Sequence, residues 1–204
     1  MPVFEARQAA IALLVGFAGL ARRSEVAGLH RGRWRLEKGS VVIQWSGQGY
    51  QRAKGDQESK GQQSVVPAMV LGWPLAKWME EQEAQLVAWK VDKKALFFRN
   101  ATKPREAGWA ASGEAVNRLL KRVVEQTVAR HELERLPAAG YTSHSLRRGG
   151  AQFLRDSGVT RELIMALGRW KSDAVVAYLD TVLQEVKSKV AGVFAGRWRS
   201  CEKA

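Results

Sequence analysis

The residues best equipped for chemistry in this sequence are cationic. The densest group is Thr142-Ser143-His144-Ser145-Leu146-Arg147-Arg148-Gly149. His144 and Arg147 are three apart, so on a helix they share a face. A guanidinium offers a planar fork of donors and an imidazole adds one more, a pair suited to phosphate oxygens. A second group is Arg22-Arg23-Ser24-Glu25, where Glu25 can hold the Arg22 guanidinium in place across one helical turn. A third is the polar run Ala53-Lys54-Gly55-Asp56-Gln57-Glu58-Ser59-Lys60-Gly61, with Lys54 and Lys60 in a basic loop. The fourth is Gly168-Arg169-Trp170-Lys171-Ser172-Asp173, followed by Tyr178 in an apolar stretch. Taken singly, each has an ordinary reading: a helical ion pair, a surface pair, a solvated turn, a core tyrosine.

Other chemistries lack their residues. The sequence has no glycine-rich loop ending in Lys-Ser/Thr, no His-Glu-x-x-His and no zinc-spaced cysteine pair. His30, His131 and His144 are far apart, and the acids fall mostly in stretches that read as exposed helix, so neither a metal site nor a cofactor is expected. The single cysteine, Cys201, forms no disulfide framework, which fits an intracellular chain.

Charge narrows the partners. The 204 residues carry 33 lysines and arginines against 20 acids, a formal +13. Such a domain attracts polyanions, nucleic acid first and an anionic membrane second. The longest apolar run, Ala9 to Ala21, is interrupted by Gly16 and Gly19 and is too short to span a bilayer. With no segment able to span a bilayer, the charge points more firmly at DNA or RNA than at a membrane. A hydrophobic fraction of 46% supports a folded core, and the length suits one domain.

The elements that must position these groups are mostly helical. Apolar residues at Ile11, Leu13, Leu14, Phe17 and Leu20 predict a helix from about Glu5 to a stop at Gly28. Trp34–Leu36, Val41–Trp45 and Ser64–Val66 read as strands of a small antiparallel sheet, the first two joined at Lys38-Gly39-Ser40, the last two by the long basic tip. Helices follow over Leu71–Lys90, Gly113–His131, Thr142–Ser157 (capped by Thr142 or Ser143) and Thr160–Leu167, with one or two more over Asp173–Val193. Ala95–Phe98 reads as a short extended piece and Thr102–Gly108 as loop. The fold class expected is mainly α with a small antiparallel β-sheet (α+β), without the strand–helix alternation of a doubly wound fold.

Order and spacing then carry a resemblance. The sequence resembles the catalytic domain of tyrosine recombinases, the phage integrase family, which shows an Arg-x-Ser-Glu box, a hairpin lysine, His-x-Leu-Arg, Gly-His/Trp and a tyrosine. Arg22-Arg23-Ser24-Glu25 matches the first box and His144-Ser145-Leu146-Arg147 the third. Lys60, followed by Ser64-Val65-Val66-Pro67, best matches the lysine, with Lys54 as its rival in the same loop. Tyr178 lies 31 residues after Arg147, about where the family places it. The resemblance runs from about Ala10 to Leu183, with departures. The family's His/Trp directly follows the glycine, whereas here Arg169 intervenes. Counting back from Tyr178 puts Arg169 in that position, while residue type favours Trp170. The lysine loop also lacks the usual threonine.

The resemblance implies a DNA-recombining enzyme, of the kind found in mobile elements. Arg22, His144 and Arg147 would bind the scissile phosphate, Glu25 would support Arg22, and Trp170 would pack beside the phosphate and buttress His144 or Tyr178. Lys60 would be the general acid. Tyr178 would form a 3′-phosphotyrosine intermediate without metal or cofactor. It further implies a catalytic domain over 1–185 and a C-terminal helix or tail over 186–204 that could contact a neighbouring protomer, with a homo-oligomer, a tetramer, on DNA. Only 21 residues precede Arg22, so the N-terminal core-binding domain is expected to be absent. A type IB topoisomerase-like enzyme and an inactive DNA-binding remnant are the alternatives.

Overall fold

The computed structural model describes residues 3–45, 62–100, 102–104, 106, 113–131 and 141–170. Its chain order is α1 (Val3–Ala18), α2 (Arg23–Ala27), a 3-10 turn (Arg31–Arg33), β1 (Trp34–Glu37), β2 (Ser40–Gln44), β3 (Gln63–Pro67), α3 (Leu75–Ala88), α4 (Gly113–His131), α5 (Ser143–Asp156) and α6 (Arg161–Gly168). The segment expected to be helical over Asp173–Val193 and the tail over 186–204 lie outside the described residues.

The sheet is antiparallel in the order β1-β2-β3. Lys38 and Gly39 both have positive φ (47° and 75°), so a two-residue turn whose twist matches the strands joins β1 to β2. Register runs from Ser40 opposite Pro67 to Gln44 opposite Gln63. The Trp45 amide then donates to Gln62 O at 2.7 Å, extending the pairing to the base of the segment that carries Lys54 and Lys60.

Helix α1 is the spine. It packs against α2, α3, α4, α5 and β3. Ile11, Ala12, Val15 and Ala18 join Val41, Ile43, Val66, Met79, Phe97, Val116, Leu154 and Leu167 in one apolar core. Two buried glutamines stitch the extended piece Ala95–Phe98 and its neighbour Arg99 to this core. Gln8 donates to Arg99 O (3.0 Å) and accepts from the Arg99 amide (2.8 Å), and Gln82 donates to Phe97 O (2.9 Å). These bonds satisfy backbone groups of Phe97 and Arg99. Helix α5 crosses α1 so closely that a Cβ on Gly150 would lie 2.2 Å from Phe17 O.

Two expected helices differ from those observed. The first, expected from Glu5 to Gly28, breaks after Ala18 into α1 and α2. Leu20 adopts φ 46°, and a Cβ on Gly19 would meet Val15 O at 2.7 Å and Val66 at 3.2 Å, so the chain leaves the helix where it meets β3. The helix expected from Leu71 starts only at Leu75. Leu71 and Gly72 have φ of 50° and 80°, the Val70 and Trp73 backbones exchange hydrogen bonds, and Pro74 leads into the first turn.

Candidate active site

The break after α1 creates the first part of the site. Arg22 sits in extended backbone (φ −74°, ψ 153°) immediately before α2, rather than in mid-helix. Glu25, one turn on, grips it twice. Its Oε2 accepts from the Arg22 amide (2.6 Å) and its Oε1 from Arg22 Nη1 (2.8 Å). A carboxylate in the first turn also meets unpaired amides there. Glu25 is buried, while the Arg22 side chain is 26% exposed.

Helix α5 supplies the second part. The Thr142 amide donates to Ser145 Oγ (3.1 Å), and the Ser143 amide donates to Asn117 Oδ1 (2.8 Å), fixing the start of α5 against α4. His144 is exposed on the first turn. Arg147, one turn further, is buried. Its Nη1 donates to Leu20 O (2.6 Å) and its Nη2 to Gly168 O. Arg147 therefore links the break after α1 to the end of α6. Burial first, then the positive charges of Arg22 and Arg169, pull its pKa down to about 10, with Glu25 acting in the opposite sense. It stays charged at neutral pH.

The end of α6 supplies the third part. Thr160 caps the start of the helix, with the Leu163 amide 3.5 Å from its hydroxyl. Arg169 ends it in the left-handed conformation (φ 54°, ψ 40°). The next two side chains part company there. Trp170 folds back over Gly168, its ring lying where a Cβ on that glycine would be, 2.1 Å from the nearest ring carbon. The Arg147 guanidinium lies 4.2 Å from the centre of that ring, a cation–π contact. Arg169 turns inward. Its Nη2 donates to Glu25 Oε2 (2.6 Å), and its Nη1 reaches Ser64 Oγ, Leu167 O (3.2 Å) and Gly19 O (3.3 Å). Ser64 Oγ also accepts from Trp45 Nε1 (2.8 Å) and donates to Gly19 O (3.2 Å). Burial lowers the Arg169 pKa, with Glu25 opposing.

Five of the residues singled out in the sequence thus converge: Arg22, Glu25, Arg147, Trp170 and its rival Arg169. His144 stands one turn before Arg147. Lys54, Lys60 and Tyr178 lie outside the described residues. Trp170 contacts Arg147 through its ring face, a partner the sequence did not suggest. Sequence reasoning also missed how deeply Arg169 enters the network. The available signal was an arginine directly after a glycine at a helix end, where a small residue usually suffices.

The charge balance of this cluster is unusual for a partly buried site. Among the described residues, Arg22, Arg147 and Arg169 face one carboxylate, Glu25. Like charges gathered out of water are costly unless an anion joins them. The arrangement can therefore hold a phosphate-like group. Among the described residues, no group of three or more His, Cys, Asp or Glu could hold a metal ion, and no helix is long and apolar enough to cross a membrane.

The fold has solved counterparts. The XerH site-specific recombinase bound to its difH substrate, in a pre-cleavage complex, superposes with a TM-score of 0.57 and 19% identity, over 90% of this chain and 43% of that one. Its post-cleavage complex with a palindromic difH substrate gives 0.60 and 17%, over 92% and 46%. This chain spans less than half the length of those recombinase chains. No family model matches the sequence, and no curated protein matches it. The mainly helical α+β fold with its three-stranded antiparallel sheet is similar to that of those recombinase chains.

Proposed function

We propose that this chain is the catalytic part of a tyrosine recombinase, which cuts and rejoins double-stranded DNA at specific sites. The observation that carries the reading is the convergence of Arg22 and Arg147. They stand 125 residues apart in sequence, yet each is fixed by its own buried partners beside the other's charge. The likeness to a DNA-bound recombinase supports it independently.

In this reading Arg22 and Arg147 bind the non-bridging oxygens of the scissile phosphate and stabilise the charge of its pentavalent transition state. Glu25 orients Arg22, and Trp170 holds the face of Arg147. His144, exposed above Arg147, donates to the same phosphate or takes the tyrosine proton. The Tyr178 oxygen attacks phosphorus, forming a 3′-phosphotyrosyl bond as the bond to the 5′-oxygen breaks. Lys60 protonates that leaving oxygen. Rejoining reverses these steps. The phosphotyrosyl link retains the bond energy, so no nucleotide cofactor is consumed. Exchange between two duplexes requires more than one active site, and the proposed assembly is a homotetramer on DNA.

The test is covalent capture on nicked suicide duplexes with a randomised core, resolved on a denaturing gel. Wild type is expected to give a protein–DNA band that Tyr178→Phe lacks while still binding DNA. A persistent band in that variant sinks Tyr178 as nucleophile. Relaxation of arbitrary supercoiled plasmid would point to a type IB topoisomerase-like enzyme, and absence of any band to an inactive DNA-binding remnant.

A further inference from the structure

Glu25 serves two guanidiniums at once. Its Oε1 accepts from Arg22 Nη1 at 2.8 Å, and its Oε2 accepts from Arg169 Nη2 at 2.6 Å. One carboxylate cannot neutralise both. The two arginines differ in access. The side chain of Arg169 is 6% exposed and that of Arg22 is 26% exposed. An anion arriving from solvent can reach Arg22 and is shut off from Arg169.

We infer that Arg169 is a positioning residue that takes up the charge of Glu25, so that Arg22 keeps its own positive charge for a phosphate. Without Arg169, Arg22 and Glu25 would form a neutral pair with little pull on an anion. With it, the trio carries a net positive charge, and that charge is presented at its open member. Arg169 is held for this task by groups that do not depend on any ligand: Ser64 Oγ, Leu167 O and Gly19 O. Its presence is costly. It occupies a left-handed helix end, where glycine would suffice, and its Nε is buried with no hydrogen-bond partner among the described residues. A residue that merely ended α6 would need neither cost. The role of the phosphate as a DNA phosphate rests on the recombinase reading, but the division of charge does not.

The experiment measures binding of inorganic phosphate to the full chain. The readout is the shift in melting midpoint of each variant relative to its own phosphate-free midpoint, so lost stability alone does not register. Wild type is expected to be stabilised by phosphate, and Arg22→Met to lose most of that effect. Arg169→Gln should weaken phosphate binding by about tenfold or more, while Arg169→Lys, which keeps the charge, should stay within a few-fold of wild type. The decisive variant combines Arg169→Gln with Glu25→Gln. Removing both charges together should restore phosphate binding toward wild type, whereas two structural lesions would add. The inference is overturned if wild type takes up no phosphate, if Arg22→Met leaves uptake unchanged, if Arg169→Gln matches wild type, if Arg169→Lys is as weak as Arg169→Gln, or if the double variant is no better than Arg169→Gln alone. No DNA cleavage enters this assay. Its failure and the failure of the covalent-capture test are therefore separate results.

Discussion

Two sites among the described residues bury arginine in different ways. Around the 3-10 turn, Arg31 is sunk against α3. Its Nε and Nη2 meet the two oxygens of Glu83 at 3.2 and 2.5 Å, and its Nη1 donates to Val91 O. That is one guanidinium, one carboxylate and a carbonyl, a closed account. Where α2, α5 and α6 meet, Arg22, Arg147 and Arg169 share Glu25. The first site needs nothing from outside the fold. The second keeps an excess of positive charge among the described residues. The comparison suggests a rule for reading buried arginines: a residue matched one to one is structural, and an excess of positive charge marks a binding site.

Arg147→Ala is the strongest way to break this contrast. It should cut the rate of covalent adduct formation by about 10²–10³-fold, the usual effect of losing a donor to a transition-state oxyanion. DNA affinity should fall far less, as measured by fluorescence anisotropy; equal losses would make Arg147 a plain binding residue. Arg31→Ala should do the reverse. Loss of its charge-assisted bonds is expected to cost about 2–3 kcal/mol of stability in urea unfolding, with the adduct rate of the remaining folded protein unchanged. A large rate effect there would erase the distinction between the two sites. Trp170→Leu sharpens it from within the cluster. Removing the ring beneath Arg147 should cost about 0.5–2 kcal/mol of transition-state stabilisation, a loss of roughly 2- to 30-fold in adduct rate with the melting midpoint followed as a control. The smallest effect is expected at Arg148, exposed beside Arg147. Arg148→Gln should reduce the slope of log affinity against log salt by about one, leaving the adduct rate at saturating DNA within a few-fold.

Much of this was written locally. The strands over Trp34–Glu37 and Gln63–Pro67, the helix Gly113–His131 and the capped starts at Thr142 and Thr160 follow from alternation, periodicity and capping residues, all short-range signals. Arg22 with Glu25 was legible for the same reason, being three residues apart. The break at Gly19–Leu20 was not, because the flanking residues are good helix formers. It depends on β3 approaching Gly19, a contact across some 45 residues of chain. The late start of α3 had a visible signal in Gly72-Trp73-Pro74, outweighed by the apolar spacing from Leu71. Arg169 is the clearest case of what periodicity misses. Its partners Glu25 and Ser64 lie 144 and 105 residues away, and only the fold brings them together. The burial of Arg147 under Trp170 likewise depends on where α6 ends.

The left-handed residue at that end also governs which edits the chain can accept. Consecutive side chains leave it in different directions, Arg169 toward Glu25 and Ser64, Trp170 onto Arg147. Inserting or deleting one residue after Gly168 would shift both occupants together and leave neither partner served. At the end of α6 the length of the chain is thus as much a part of the site as the identity of its side chains.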